Sequence, residues 1–405
     1  MNVRRSAAVL AAVTVIGAAM PAAAAPSPSP SQALPSALYG DKDPKFDGVW
    51  RQSLALLAQE TVGVKPAAKS VEWLTRQQCK DGGFASYRAD PTTACDAKTM
   101  LDTNATSAAV QALTALGGHD DATGTAVGWL KSVQNEDGGW GYSPGGASDT
   151  NSTSIVIGAL AAAGEKPDQV EKDGKSPYDA LLKLALPCDG DSDGAFAFQP
   201  DKKGKLAANA DATAAGVLGA LGKGMVTEPG AKSDATCSEP GTPKQAAVNG
   251  AAYLTSALAK DDNHLMSAMA GAERQPDYGN TADAVVALAA QGNTAQAEKS
   301  VRWLEKNSAS WAAQSGPAAY AQLIFAAHAT GTNPRDFGGA DLVKQLNASG
   351  PAPQTAGKAQ SSDEKPGEKD GSGSFFGVWW YVGVCLVAGI GIGFLFTGRK
   401  KQQQL

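Results

Sequence analysis

Acidic and amide side chains recur in one pattern along the chain. The strings are Asp102-Thr-Asn104-Ala-Thr106, Asp149-Thr-Asn151-Ser-Thr153 and Asn209-Ala-Asp211-Ala-Thr213, with Gly279-Asn280-Thr281-Ala-Asp283 as a further relative. Each opens a run of small apolar residues, and the runs end at Gly117, Gly164, Gly222 and Gly292. Asp, Asn or Thr before an apolar run and glycine after it are helix start and stop signals. Two kinds of chemistry are open to such residues. A cap accepts a backbone N–H and has no further role. Gathered at the mouth of a concave pocket, Asp102, Asn104, Asp149, Asn151, Asn209, Asp211 and Asp283 would instead offer acceptors and charge to a small-molecule ligand. These are the candidate ligand-binding residues, and no catalytic residue is assigned.

Other motifs are fewer. Asp189-Gly-Asp191-Ser-Asp193-Gly194 resembles the first half of a calcium-binding EF-hand loop, but Pro200 stands where the bidentate Glu belongs. Asp189, Asp191 and Asp193 are therefore a calcium candidate with an incomplete ligand set, against an acidic solvated turn. Cys79, Cys95, Cys188 and Cys237 allow three disulfide pairings. Cys79–Cys95 with Cys188–Cys237 is favoured, because each bridge closes one local loop. A zinc site lacks a Cys-x-x-Cys or His pair. Of His119, His264 and His328, only His328 falls near the end of a buried helix. No Ser–His–Asp signature or Gly-rich phosphate loop is present. A net charge of -5 leaves no large basic face for nucleic acid.

The elements that position these residues come from a repeat. Val71-Glu-Trp73-Leu74 followed by Gln77-Gln-Cys-Lys-Asp81-Gly82-Gly83-Phe84 returns as Val127-Gly-Trp129-Leu130 followed by Gln134-Asn-Glu-Asp137-Gly138-Gly139-Trp140. Weaker copies surround Leu182, Tyr253 and Trp303, at a spacing of about fifty residues; the one longer gap holds the segment Val226 to Pro243. These stretches have one apolar stripe and exposed Glu, Lys, Arg and Gln, as surface helices do. The Asp/Asn-initiated runs are apolar or tiny nearly all round, as a helix buried on every side must be. Buried helices are expected near Gly48, Asp102, Asp149, Asn209, Asn280 and Gly316, and exposed ones near Pro66, Asp121, Pro177, Pro243, Thr294 and Gly339. Six helix hairpins with alternating burial predict an all-α fold, an α6/α6 toroid over 41–347. A closed ring is favoured over an open solenoid, which would not need one set buried all round.

Gln-x-x-Asp-Gly-Gly-Trp after a Trp-Leu helix resembles the repeat of the prenyltransferase, squalene–hopene cyclase and oxidosqualene cyclase superfamily. The resemblance implies the α/α toroid, which cobalamin carriers such as transcobalamin and intrinsic factor also use. Cyclases of this kind place Asp-x-Asp-Asp-Thr at a buried-helix start, where the middle acid protonates an alkene or epoxide. Here Ala105, Ser152 and Ala212 stand in for that acid. The protein prenyltransferase zinc set is likewise unmatched, since none of the four cysteines opens a buried helix. The enzyme question therefore leans to no.

The chain ends supply the expected location. A basic start at Arg4-Arg5, an apolar run and Ala22-Ala-Ala-Ala25 read as a signal peptide over 1–25, with a Pro/Ser-rich spacer over 26–40. A disordered stalk is predicted over 348–374, a transmembrane helix over 375–398 and a cytoplasmic tail over 399–405. Arg399, Lys400 and Lys401 orient the helix with the bulk of the chain outside, as a single-pass type I cell-membrane protein. The expected function is a cell-surface-anchored, extracellular ligand-binding protein, possible ligands being corrinoid-like or other small molecules. Alternatives are an extracellular terpenoid- or prenyl-type enzyme and a structural or adhesion module. The expected partners are a small-molecule ligand and, through the C-terminal helix, the membrane; the sequence names no cofactor and no transport partner.

Peptide mapping of the secreted chain under non-reducing conditions should recover Cys79–Cys95 and Cys188–Cys237. Free thiols at these positions, or a crossed pairing, would contradict both the pairing and the oxidising compartment.

Overall fold

A helix with small residues on every side can be surrounded by other helices, and a helix with one apolar stripe can only cover them. The computed structural model sorts the chain on that rule. It describes residues 34–188, 194–233, 236–267 and 273–355 and the backbone of 384–385. In chain order the helices are α1 (Gly48–Thr61), α2 (Ala68–Arg76), α3 (Thr103–Leu116), α4 (Asp120–Ser132), α5 (Thr150–Ala162), α6 (Pro177–Leu184) and α7 (Ala210–Ala220). They continue as α8 (Pro243–Lys260), α9 (Tyr278–Gln291), α10 (Thr294–Asn307), α11 (Ala309–Ser315), α12 (Pro317–Thr330) and α13 (Leu342–Ala348).

α1, α3, α5, α7, α9 and α12 form the inner layer. Each packs on the next, and α12 packs back on α1, so the ring closes. α5 buries every residue but Ala161. α10, in the outer layer, buries only Gln296, Ala297, Ser300, Val301 and Leu304, a single stripe. The alternation read from the sequence is thus the inner and outer layers of an α/α toroid. Two details differ from the expectation. The extra short helix α11 precedes α12, and α9 starts with Asp277 as its cap, upstream of Asn280.

The seam joins the two ends of the toroid segment. Gly40 N–H donates to the Ser349 carbonyl at 2.7 Å, and Tyr39 Oη donates to Gln59 Oε1 at 2.9 Å and to the Pro351 carbonyl at 3.3 Å. Gln354 N–H reaches the Lys65 carbonyl at 2.9 Å. This corrects both expected boundaries. Leu38 and Tyr39, assigned to the spacer, are core residues, and 348–355, assigned to the stalk, is held on α1 and α2. Burial of Tyr39 and backbone pairing to both sides of the seam are the reason. The predicted signal peptide, the tail and the calcium candidate Asp189, Asp191 and Asp193 lie outside the described residues. So does the predicted transmembrane helix except at Val384–Cys385. There the backbone is extended, not helical, and pairs antiparallel with Met225–Val226, which satisfies its polar groups across strands. Among the described residues no helix is long and apolar enough to cross a membrane.

The two Asp-Gly-Gly-aromatic turns follow α2 and α4 and lock those hairpins. Asp81 Oδ1 accepts the Gly83 N–H at 3.2 Å and Asp137 Oδ1 the Gly139 N–H at 3.0 Å. Phe84 and Trp140 fold into the core, and Trp140 Nε1 donates to the Leu130 carbonyl at 2.8 Å. Both bridges form as expected, Cys79–Cys95 within this turn region and Cys188–Cys237 at the outer layer.

The long segment after α7 is a strap across the C-terminal ends of the inner helices. Met225 N–H donates to Gln111 Oε1 of α3 at 2.9 Å, and Glu228 lies 3.1 Å from His328 near the end of α12. Gly230 N–H then donates to the Ala289 carbonyl at 2.8 Å and Ser233 N–H to the Gly292 carbonyl at 3.2 Å, both at the end of α9. The two ends of the ring are therefore unlike.

Gly138 has φ +91°, and a Cβ there would lie 2.2 Å from the Ser176 carbonyl oxygen; Gly145, at φ +74°, would meet nothing within 4 Å. Gly145→Ala should cost about 1 kcal/mol of backbone strain, whereas Gly138→Ala should cost about 3 kcal/mol or more. Urea unfolding of the two variants checks the order.

Candidate functional site at the N-terminal end of the inner ring

The polar strings divide by position within the first turn. The cap residues are spent on the backbone. Asp102 Oδ1 accepts the Ala105 N–H at 2.8 Å, Asp149 Oδ1 the Ser152 N–H at 2.7 Å, and Asn209 Oδ1 the Ala212 N–H at 2.9 Å. Asp277 does the same for Asn280 at 3.1 Å. The second carboxylate oxygens are also engaged. Asp102 Oδ2 accepts Ser86 Oγ–H at 2.8 Å and Asp149 Oδ2 accepts Ser152 Oγ–H at 2.8 Å. Burial raises the Asp102 carboxyl above its usual range, against lowering hydrogen bonds from Tyr142, Ala105 and Ser86. Burial carries Asp149 up to about 6. Tyr142 is pushed up to about 12 by burial and by Asp102.

Four residues further along each helix sits a threonine. Thr106, Thr153, Thr213 and Thr281 accept the N–H of Phe84, Trp140, Phe196 and Leu265 at 2.9–3.1 Å. Thr106 and Thr213 also donate to their own cap carbonyls at 2.7 and 2.6 Å. Cap and threonine therefore tie the inner helix to the turn that precedes it.

The position two after the cap is left for other work. Asn104, Asn151 and Asp211 occupy it on α3, α5 and α7. Asn151 Nδ2 donates to Asp211 Oδ2 at 2.7 Å. Asp283, one turn deeper on α9, accepts from Gln322 Nε2 of α12 at 3.2 and 3.3 Å. The Asp211 charge opposes ionisation of Asp283. Burial first, and then Asp211 and Asp277, raise the Asp283 carboxyl well above the usual range. Asn151, Asp211, Asp283 and Gln322 thus follow the ring across α5, α7, α9 and α12. Asn104 and Asn151 are 8% and 1% exposed, and the Oδ1 of each is buried without a hydrogen-bond partner.

Of the seven expected residues, the structure links Asn151 to Asp211 and sets Asp211 near Asp283. Asp102, Asp149 and Asn209 are engaged as caps. Gln322 and Asp277 were not singled out by the sequence. Gln322 could have been found as the lone amide in Tyr320-Ala-Gln-Leu-Ile-Phe325, an otherwise apolar inner run. Among the described residues no group of three or more His, Cys, Asp or Glu could hold a metal ion.

Residues 50–222 match the family model of the prenyltransferase alpha-alpha toroid domain. The chain is 31% identical over 137 residues to drimenyl diphosphate synthase of Streptantibioticus cattleyicolor. The match covers 34% of this chain and 24% of that protein, so the chain spans about a quarter of its relative's length. Among solved structures, a protein from Actinoplanes aligns over 73% of this chain and 93% of its own at 14% identity with a TM-score of 0.47. A sugar epimerase from a ruminal bacterium aligns over 66% and 79% at 15% identity with a TM-score of 0.41.

Asp149 binds its proton more tightly folded than unfolded, so its charge opposes folding at neutral pH. That opposition disappears as pH falls through about 6 towards the unfolded value. Asparagine caps as well as aspartate. Asp149→Asn should therefore match or exceed the parent's stability at pH 7. The difference should swing towards the parent by up to roughly 3 kcal/mol between pH 7 and pH 4. Denaturation of both proteins across that range measures it.

Proposed function

We propose that the toroid is a small-molecule-binding domain whose ligand sits at the N-terminal end of the inner ring, and that the chain presents it outside the cell on a C-terminal membrane anchor. The chain of Asn151, Asp211, Asp283 and Gln322 supports the binding reading, together with the buried, partnerless carbonyl oxygens of Asn104 and Asn151. A buried acceptor without a donor costs about 1–3 kcal/mol, and a ligand N–H or O–H would remove that cost. Both disulfides and the basic–apolar start of the sequence support the extracellular placement. A corrinoid-like ligand, whose rim of amides would supply such donors, is the sharpest version; it rests on the resemblance to cobalamin carriers.

Catalysis is the second reading, and Asp283 favours it. A buried carboxyl whose ionisation is disfavoured is a proton donor of the kind cyclisation requires. A relative bearing the name drimenyl diphosphate synthase is in keeping with that chemistry. Against it, the residues three after the caps are Ala105, Ser152 and Ala212, without an acid.

Native mass spectrometry of the full-length chain from its own host separates the readings. Binding predicts a co-purifying small molecule, retained by the parent and lost from Asp283→Asn, and no turnover of squalene, oxidosqualene or a prenyl diphosphate. Turnover of any of these that disappears in Asp283→Asn would replace binding with catalysis.

A further inference from the structure

We propose that His264 and Met266 form a site for a soft monovalent metal ion of the copper(I) kind, held by the imidazole Nε2 and the thioether sulfur. The site stands apart from the small-molecule reading of the inner ring and does not depend on it.

The turn before α9 departs from its own repeat in two side chains. Leu265 fills the place of Phe84, Trp140 and Phe196, because its N–H goes to Thr281 as theirs go to Thr106, Thr153 and Thr213. Two residues earlier Asn263, at φ +66°, fills the left-handed place of Gly82, Gly138 and Gly194. In the first three turns the residues flanking the buried one are Gly83 and Ala85, Gly139 and Gly141, and Ala195 and Ala197. In the fourth they are His264 and Met266. Small size has a reason in the first turn, where a Cβ on Gly83 would lie 2.7 Å from the Trp129 ring of the next outer helix. Trp303 has the same place in α10 as Trp129 has in α4, and there an imidazole lies against the indole instead. The fold asks for neither an imidazole nor a thioether at these positions.

The two side chains converge. Leu265–Met266 is extended and pairs with Pro276–Asp277, so alternate residues share a face. Leu265 enters the core, while His264 and Met266 stay half-buried on the other side, within reach of solvent. His264 Nε2 lies 3.1 Å from Met266 Sδ. Metal bonds of about 2.0–2.3 Å to nitrogen and sulfur would let one ion touch both. The ring is held in place for this. Trp303 stacks on it with centroids 4.1 Å apart and planes 5° apart, and Tyr278 backs Trp303 at 5.3 Å. Its Nδ1 is buried without a hydrogen-bond partner, so Nε2 is the nitrogen left for a ligand. A thioether is a weak hydrogen-bond acceptor, a poor partner for an Nε2 proton but a good co-ligand for an ion on the Nε2 lone pair.

The donor set selects the ion. Thioether sulfur is soft and polarisable and favours copper(I), and imidazole suits copper as well. Both donors are neutral, which suits a single positive charge better than a double one. Zinc and calcium draw on sets of His, Cys and carboxylate ligands. Among the described residues no three such groups come together.

Silver(I) is the probe, a redox-silent ion of the same softness that leaves both disulfides intact. The full-length chain carries Cys385→Ser, which removes the one cysteine outside the two bridges. In isothermal titration the affinity for silver(I) should fall at least tenfold in Met266→Leu and in His264→Phe, which keep an apolar or aromatic side chain beside Trp303. Met100→Leu, at a methionine 79% exposed, should change it less than twofold. In NMR of methyl-labelled methionine, silver(I) should move the Met266 resonance and leave that of Met100, and the imidazole nitrogen shift should change at Nε2. A His–Trp pair that only packs would show none of these changes. Circular dichroism and melting temperature establish that each variant is folded. Failure of the parent to bind silver(I), equal shifts at Met100 and Met266, affinity that survives Met266→Leu, or displacement of silver(I) by one equivalent of zinc(II) would overturn the inference.

Discussion

A helix that begins inside a protein cannot leave its first N–H groups to water. Each inner helix of this toroid faces that constraint, and one local device meets it repeatedly. An Asp or Asn closes the first turn, and a threonine one turn on accepts the N–H of the buried residue that ends the preceding turn. The second bond carries the architecture. It couples the start of an inner helix to the Phe84, Trp140, Phe196 or Leu265 segment, and so fixes the register of outer helix, turn and inner helix as one unit. With the register set, small side chains on the inner helices let neighbours approach until the ring closes between α12 and α1.

The same device decides which side chains remain for chemistry. Cap and threonine are consumed by the backbone, and the residue three after the cap gives its N–H to the cap. The position between them is unconstrained by the turn. Its occupants, Asn104, Asn151 and Asp211, differ in charge from repeat to repeat while the capping pattern stays fixed. Capping fixes the geometry, and the neighbouring position varies among the repeats of this chain.

Keeping Asp211 and Asp283 together works against stability. Burial of Asp283 and the nearby Asp211 charge both oppose ionisation of Asp283. The strap over the opposite end of the ring has the reverse character. Its backbone bonds to α3 and α9, and the close approach of Gly230 and Gly292 to facing carbonyls, make it a fixed floor.

The helices, their order and their division into two layers were legible in the sequence. They depend on local signals: caps, terminal glycines and the contrast between one apolar stripe and apolarity all round. The disulfides were legible because each closes a short stretch of chain. The toroid boundaries were not. Tyr39 and Gln354 look like linker residues until the seam places them on the same pair of helices. The grouping at the inner ring was only half legible. Composition marked Asp102, Asp149 and Asn209 as strongly as Asn151 and Asp211, because cap and lining residues share the same chemistry. Closure of the ring separated them. It set Asp211 of one repeat near Asp283 of another and brought Gln322 onto Asp283. These meetings depend on how helices distant in sequence pack side by side, and no local pattern encodes that.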